Sequence, residues 1–174
     1  MSDDDFDALY EMYRQVVDDG GALPQGGAPT RAVFTQGWIR DRAVYVARKA
    51  DQTVGSYFIR PNFPAFAAHI AQSGYIVDRA ARGRGIGRQL LEHSLTEARG
   101  LGYTAMMFNL VFETNPSRRL YESVGFQAVG RIPDARHGEA RRGSLHLLAS
   151  TMNTKNPCPA ALIRLGREHP ATQA

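Results

Sequence analysis

The sequence predicts a mixed α/β, or α+β, domain built on one central sheet. Three observations carry this. A period-2 hairpin near residues 43–59 gives way to a strongly amphipathic helix over 85–99. An almost unbroken apolar strand, 104–112, follows it. Further strand, helix and strand signals then alternate to about residue 149.

The elements are justified in chain order. Phe6, Leu9, Tyr10, Tyr13, Val16 and Val17 recur at three- and four-residue spacing, which predicts a helix over 5–18. Gly20 and Gly21 end it, and the Gly- and Pro-rich stretch 20–31 reads as a loop. A second, weakly marked helix is expected near 31–40. Ala43–Arg48 and Thr53–Ile59 form a hairpin about Asp51-Gln52, and a third strand runs from about Ala68 to Asp78. Ile86, Leu90, Leu91, Leu95 and Ala98 line one face of the main helix. The run Met106, Met107, Phe108, Leu110, Val111 suits a strand buried on both faces. A short helix over 116–124 is expected to start with Asn115 as its cap and Pro116 as its first residue. Phe126–Val129 and Ser144–Ala149 read as strands, and Arg136–Arg142 as a charged loop. Residues 1–150 are thus one domain, and 151–174, without periodicity, a poorly ordered tail.

Composition excludes several classes. The chain has 174 residues, 43% hydrophobic and 22% charged, with 21 Lys and Arg against 17 Asp and Glu, for a net charge of +4. One cysteine, Cys158, rules out a disulfide framework, and no Cys/His spacing suits zinc, so no metal is expected. No apolar run reaches about 18 residues, and the acidic N-terminus is unlike a signal peptide. A cytoplasmic protein with no membrane partner is the expectation. The basic residues gather at one turn rather than along a face, which argues against nucleic acid.

That turn is Arg82-Gly83-Arg84-Gly85-Ile86-Gly87-Arg88. Three alternating glycines let backbone N–H groups approach a ligand, and the helix start adds unpaired N–H groups and partial positive charge. The combination suits a pyrophosphate. Arg82, Arg84 and Arg88 add forked donors. The P-loop fails because Arg88-Gln89 stands where Lys-Ser or Lys-Thr is needed. G-x-G-x-x-G fails at Arg88, although Glu113 could be argued into the ribose role.

With Asn115–Tyr121 and Gly125-Phe126 as a second motif, the chain resembles the GCN5-related N-acetyltransferase (GNAT) superfamily over Phe6–Gly130. The resemblance implies a mostly antiparallel, twisted sheet flanked by helices and splayed between two central strands. It implies acetyl-CoA as co-substrate. The backbone near Val77 would hold the pantetheine arm, and Arg82, Gly83, Arg84, Gly85, Ile86, Gly87 and Arg88 the pyrophosphate. Asn115 would contact the cofactor, and Tyr121 would protonate the departing thiolate. No carboxylate stands in mid-strand 68–77, where some members carry a base. His69 is a weak substitute, so proton removal through water is expected. Pro61-Asn62, His69–Tyr75 and Phe108–Val111 further resemble a branch that acetylates proline analogues such as azetidine-2-carboxylate. That assigns Gln72, Tyr75 and Asn109 to the acceptor and Asn109 also to catalysis, although the branch usually has asparagine where Gln72 stands. The expected activity is acetyl transfer to a small-molecule amine or amino acid. The alternatives are a peptide amine as acceptor, or a catalytically impaired coenzyme A-binding module. The resemblance leaves room for a homodimer. Residues 136–174 match the family's closing strand poorly, and whether they complete the sheet stays open.

Overall fold

A computed structural model describes residues 2–20, 28–135 and 144–152, and the backbone of 164–168. The helix α1 (Asp3–Asp18) begins in a capping box. The Ser2 hydroxyl accepts from the Asp5 N–H, and the Asp5 carboxylate accepts from the Ser2 N–H. α2 (Arg31–Phe34) widens without a break into a π-helical turn over Thr35–Ile39. Then come β1 (Ala43–Lys49), β2 (Gln52–Pro61), β3 (Ile70–Val77), α3 (Ile86–Gly100), β4 (Ala105–Phe112), α4 (Arg118–Ser123), β5 (Gln127–Ile132), β6 (Leu145–Thr151) and β7 (Arg164–Glu168).

The strands form one seven-stranded sheet in the order β5-β6-β4-β3-β2-β1-β7. Every neighbouring pair is antiparallel except β3 and β4. Those two are parallel and are paired only at Ile70↔Ala105 and Ala71↔Met106. Beyond that point they diverge, which is the splay the resemblance implied.

Both faces of the sheet are covered because successive strand residues point to opposite sides. Tyr45, Tyr57, Ile59 and Met106 pack with Leu90, Leu91 and Ala98 of α3. Val44, Val46, Phe58 and Ile76 pack with Leu9, Met12, Tyr13, Phe34 and Trp38 on the other side. Gly74 is required by this second layer. A Cβ there would stand 2.7 Å from Phe58 Cε1 and 3.4 Å from Trp38 Cζ3.

Two expectations are corrected. Asn115 does not cap α4 and Pro116 is not its first residue; Ser117 precedes a helix that starts at Arg118. Asn115 instead makes a side-chain turn, its Oδ1 accepting from the Ser117 N–H at 2.9 Å. Within 151–174, the stretch read as a tail, β7 pairs with the outer edge of β1, Val46 opposite Gly166. β6 completes the other half of the sheet by inserting between β4 and β5. The charged loop read at Arg136–Arg142 lies outside the described residues.

A partly buried polar network ties α3 to the sheet. The Tyr57 hydroxyl meets His93 Nδ1 at 2.6 Å, and the Tyr45 hydroxyl donates to Glu97 at 2.9 Å. Burial pushes the His93 pKa below its ordinary 6.5, and the nearby Glu97 charge opposes this only in part. The unfolded chain therefore binds more protons here than the folded one, so stability rises with pH. The contribution is present above about pH 6.5 and is lost as pH falls below it. Urea midpoints are expected to drop between pH 7 and pH 5, and His93→Gln is expected to flatten that slope.

Candidate active site

A cleft of about 540 Å³ opens where β3 leaves β4. Its walls come from the residues after β3, from the start of α3, from β4, and from the turn into α4. α1 and the π-helical turn contribute Val16, Asp19 and Trp38 from the other side. The splay provides the opening, because two strands that stop pairing must leave room between them.

One end of the cleft is the glycine–arginine turn. Asp78 starts it by accepting from the Ala80 N–H at 2.8 Å. Gly83 and Gly85 sit at φ +75° and +78°, a conformation side chains strongly disfavour. Gly85 immediately precedes α3, whose first N–H groups have no helical partner. No atom crowds the position a Cβ would take at Gly83. The main chain is therefore open to a ligand. Arg82 reaches back to the Val77 carbonyl oxygen at 3.3 Å and pairs with Asp19, which also pairs with Arg79.

At the other end, Tyr121 lies half-buried on α4 against Phe108, ring centroids 4.6 Å apart, with Tyr75 and Phe126 beyond. Burial pushes its phenol up to about 12, against a smaller opposing effect of a hydrogen bond with Ser117. The group is thus a protonated donor at neutral pH. Burial raises the Tyr75 phenol as well, and that hydroxyl is 2.7 Å from Ser94 Oγ.

The cleft brings together Gln72, Tyr75, Val77, Arg82, Gly83, Gly85, Ile86, Gly87, Asn109, Asn115 and Tyr121. Arg84 and Arg88 are not among its lining residues. Arg84 is exposed on the turn. Arg88 donates to Ser123 at 2.8 Å and pairs with Glu92. His69 is also outside, exposed, with Nδ1 3.0 Å from the Phe66 carbonyl oxygen. Asn109 lies in the irregular stretch where β4 shifts register against β6. Its amide is engaged on both atoms by the Asn62 side chain, at 2.6 and 2.9 Å. It therefore acts as a brace from β4 to the end of β2. Sequence reasoning missed Arg42 and Arg60, which line the same cleft. Only Arg60 carried a signal, standing directly before Pro61-Asn62. Among the described residues, no group of three or more His, Cys, Asp or Glu could hold a metal ion. No helix there is long and apolar enough to cross a membrane.

Comparison with known proteins agrees with this geometry. Residues 40–128 match the family model described as "Acetyltransferase (GNAT) domain". A GCN5-related N-acetyltransferase structure from Kribbella flavida is 31% identical, with TM-score 0.81 over 87% of this chain and 94% of that one. A GNAT superfamily phosphinothricin acetyltransferase from Sinorhizobium meliloti, solved in complex with AcCoA, shares the fold. Its identity is 18%, with TM-score 0.72 over 87% of this chain and 85% of that one. The N-acetyltransferase aca1 of Schizosaccharomyces pombe is 41% identical over 83 residues, 47% of this chain, which spans only 40% of that relative's length. The splayed sheet, the glycine turn and the family match converge: this chain belongs to the GCN5-related N-acetyltransferase (GNAT) family.

Proposed function

We propose that the protein transfers the acetyl group of acetyl-CoA to the amine of a small molecule or amino acid, by direct attack within a ternary complex. The observation that carries this reading is the single cleft joining the glycine turn to the Tyr121 phenol. The turn suits the diphosphate through its open main chain, its helix start and Arg82. Asn115, Gly85 and Gly87 border the path from there to Tyr121.

The acceptor amine, in its neutral form, attacks the thioester carbonyl carbon. The new C–N bond forms first, giving a tetrahedral oxyanion; the C–S bond then breaks as the carbonyl re-forms, and the sulfur leaves as a thiolate. Tyr121 gives that thiolate its proton and recovers one from solvent. The developing oxyanion needs donors, a role we assign to backbone N–H groups at the strand splay. The acceptor ammonium loses one proton to water before attack, and the acylated nitrogen loses a second to water as the amide forms, which balances the proton that Tyr121 draws from solvent. The one carboxylate lining the cleft among the described residues, Asp19, is engaged with Arg79 and Arg82.

The test is thiol release from acetyl-CoA across a panel of amino acids, proline analogues and aminoglycosides, with calorimetry of coenzyme A binding. Saturable coenzyme A binding and thiol release that depends on acceptor are expected. Binding without turnover of any amine would leave a coenzyme A-binding module instead.

A further inference from the structure

Resting on the acetyl-transfer reading, we infer that the acceptor carries an oxyanion, carboxylate or phosphonate-like, held by Arg42 and Arg60 at the far end of the cleft. Both arginines line it. Neither forms an ion pair among the described residues, although each arginine at the glycine turn's entrance, Arg79 and Arg82, is paired with Asp19.

The two side chains are fixed rather than free. Arg42 donates through Nη1 to the carbonyl oxygens of Gln36 and Arg40, at 2.8 and 2.7 Å. Its guanidinium lies 5.0 Å from the Phe58 ring centre. Arg60 donates to Gln72 Oε1, its neighbour across the β2–β3 ladder. Burial and the charge of Arg60 both lower the Arg42 pKa, with Asp41 opposing weakly. Two fixed cations of like sign in a partly desolvated cleft call for an anion between them, and a guanidinium fork suits a two-oxygen group.

The cofactor's diphosphate is not that anion. Gln72 stands five residues before Val77 on β3, roughly 16 Å along an extended strand. The diphosphate turn lies beyond Val77, so the arginine pair faces the acceptor's end. An α-amino acid or an aminoalkyl phosphonate would place its oxyanion there with its amine directed toward the thioester.

The experiment compares kcat/KM for L-α-amino acids, their carboxamides and 1-aminoalkylphosphonates, by thiol release from acetyl-CoA. Acids are expected to exceed their amides by about 10–100-fold, mostly through KM, as charge-assisted hydrogen bonds imply. Arg60→Gln is expected to pull that ratio toward one, and Arg60→Lys to restore part of it. The carboxylate and phosphonate arms tell which oxyanion fits. Amides that turn over as well as acids, or an unchanged ratio in Arg60→Gln, would overturn the inference while leaving acetyl transfer standing. No thiol release with any member would overturn the acetyl-transfer reading, and this one with it.

Discussion

Replacing Tyr121 with Phe is expected to lower kcat by about 10²–10⁴-fold, the usual worth of a placed general acid. Coenzyme A is expected still to bind. The substitution removes one oxygen and keeps the ring, so the packing against Phe108, Phe126 and Tyr75 survives. Near-ultraviolet circular dichroism checks that it does. The wild-type pH profile gives a second, independent reading. A phenol pushed up to about 12 stays protonated across the working range. Its ionisation is therefore expected to cost no activity below about pH 10, since an acid fails only as pH approaches its pKa. A Tyr121→Phe enzyme with near-normal kcat would mean that the thiolate takes its proton from elsewhere.

The second large effect concerns stability. Asp5→Ala is expected to destabilise the fold by about 1.5–3 kcal/mol, because it removes a buried carboxylate that accepts several charge-assisted hydrogen bonds. Asp5 is 6% exposed. Its carboxylate accepts from Arg48 Nε at 3.2 Å, from the Thr53 hydroxyl at 2.8 Å and from the Ser2 hydroxyl at 2.7 Å. Burial alone would raise its pKa, but the hydrogen bonds from Arg48, Ser2 and Thr53 outweigh it and hold the carboxyl well below the usual range. The linkage follows from that depression. The stabilisation is full above about pH 4 and is lost as pH falls through the folded value. Urea denaturation of Asp5→Ala at pH 7, and of wild type from pH 7 to pH 3, measures both effects. The consequence reaches the cleft, because the same bonds anchor α1 to the β1–β2 hairpin, and α1 supplies Val16 to the wall.

Much of the architecture was legible because its signals are local. Alternation marked β1 and β2, a 3.6-residue stripe marked α3, and a continuous apolar run marked β4. The glycine turn could be read because Gly83 and Gly85 serve a backbone conformation that few other residues accept. Where the expectation slipped, the deciding interaction was one of two kinds. At Asn115 two local devices competed, and the side-chain turn to Ser117 won over the helix cap. Elsewhere the cause was distant. β7 is set by the free edge of β1, which residues 164–168 alone do not announce. Arg60 reaches the cleft through the register that places it opposite Gln72, and Arg42 through its place just before β1. Asn109 drew attention as a polar residue in an apolar run, but its partner, Asn62, is 47 residues away in sequence.

The early parting of β3 from β4 has one more consequence. A strand that loses its neighbour exposes a row of main-chain donors and acceptors, and on a protein's rim such a row invites aggregation. Here the row is recessed inside the molecule, roofed by α3 on one side and by α1 with Trp38 on the other. Kept from the rim in this way, the row meets only what enters the cleft, and an extended chain that carries its own amides has main-chain partners there.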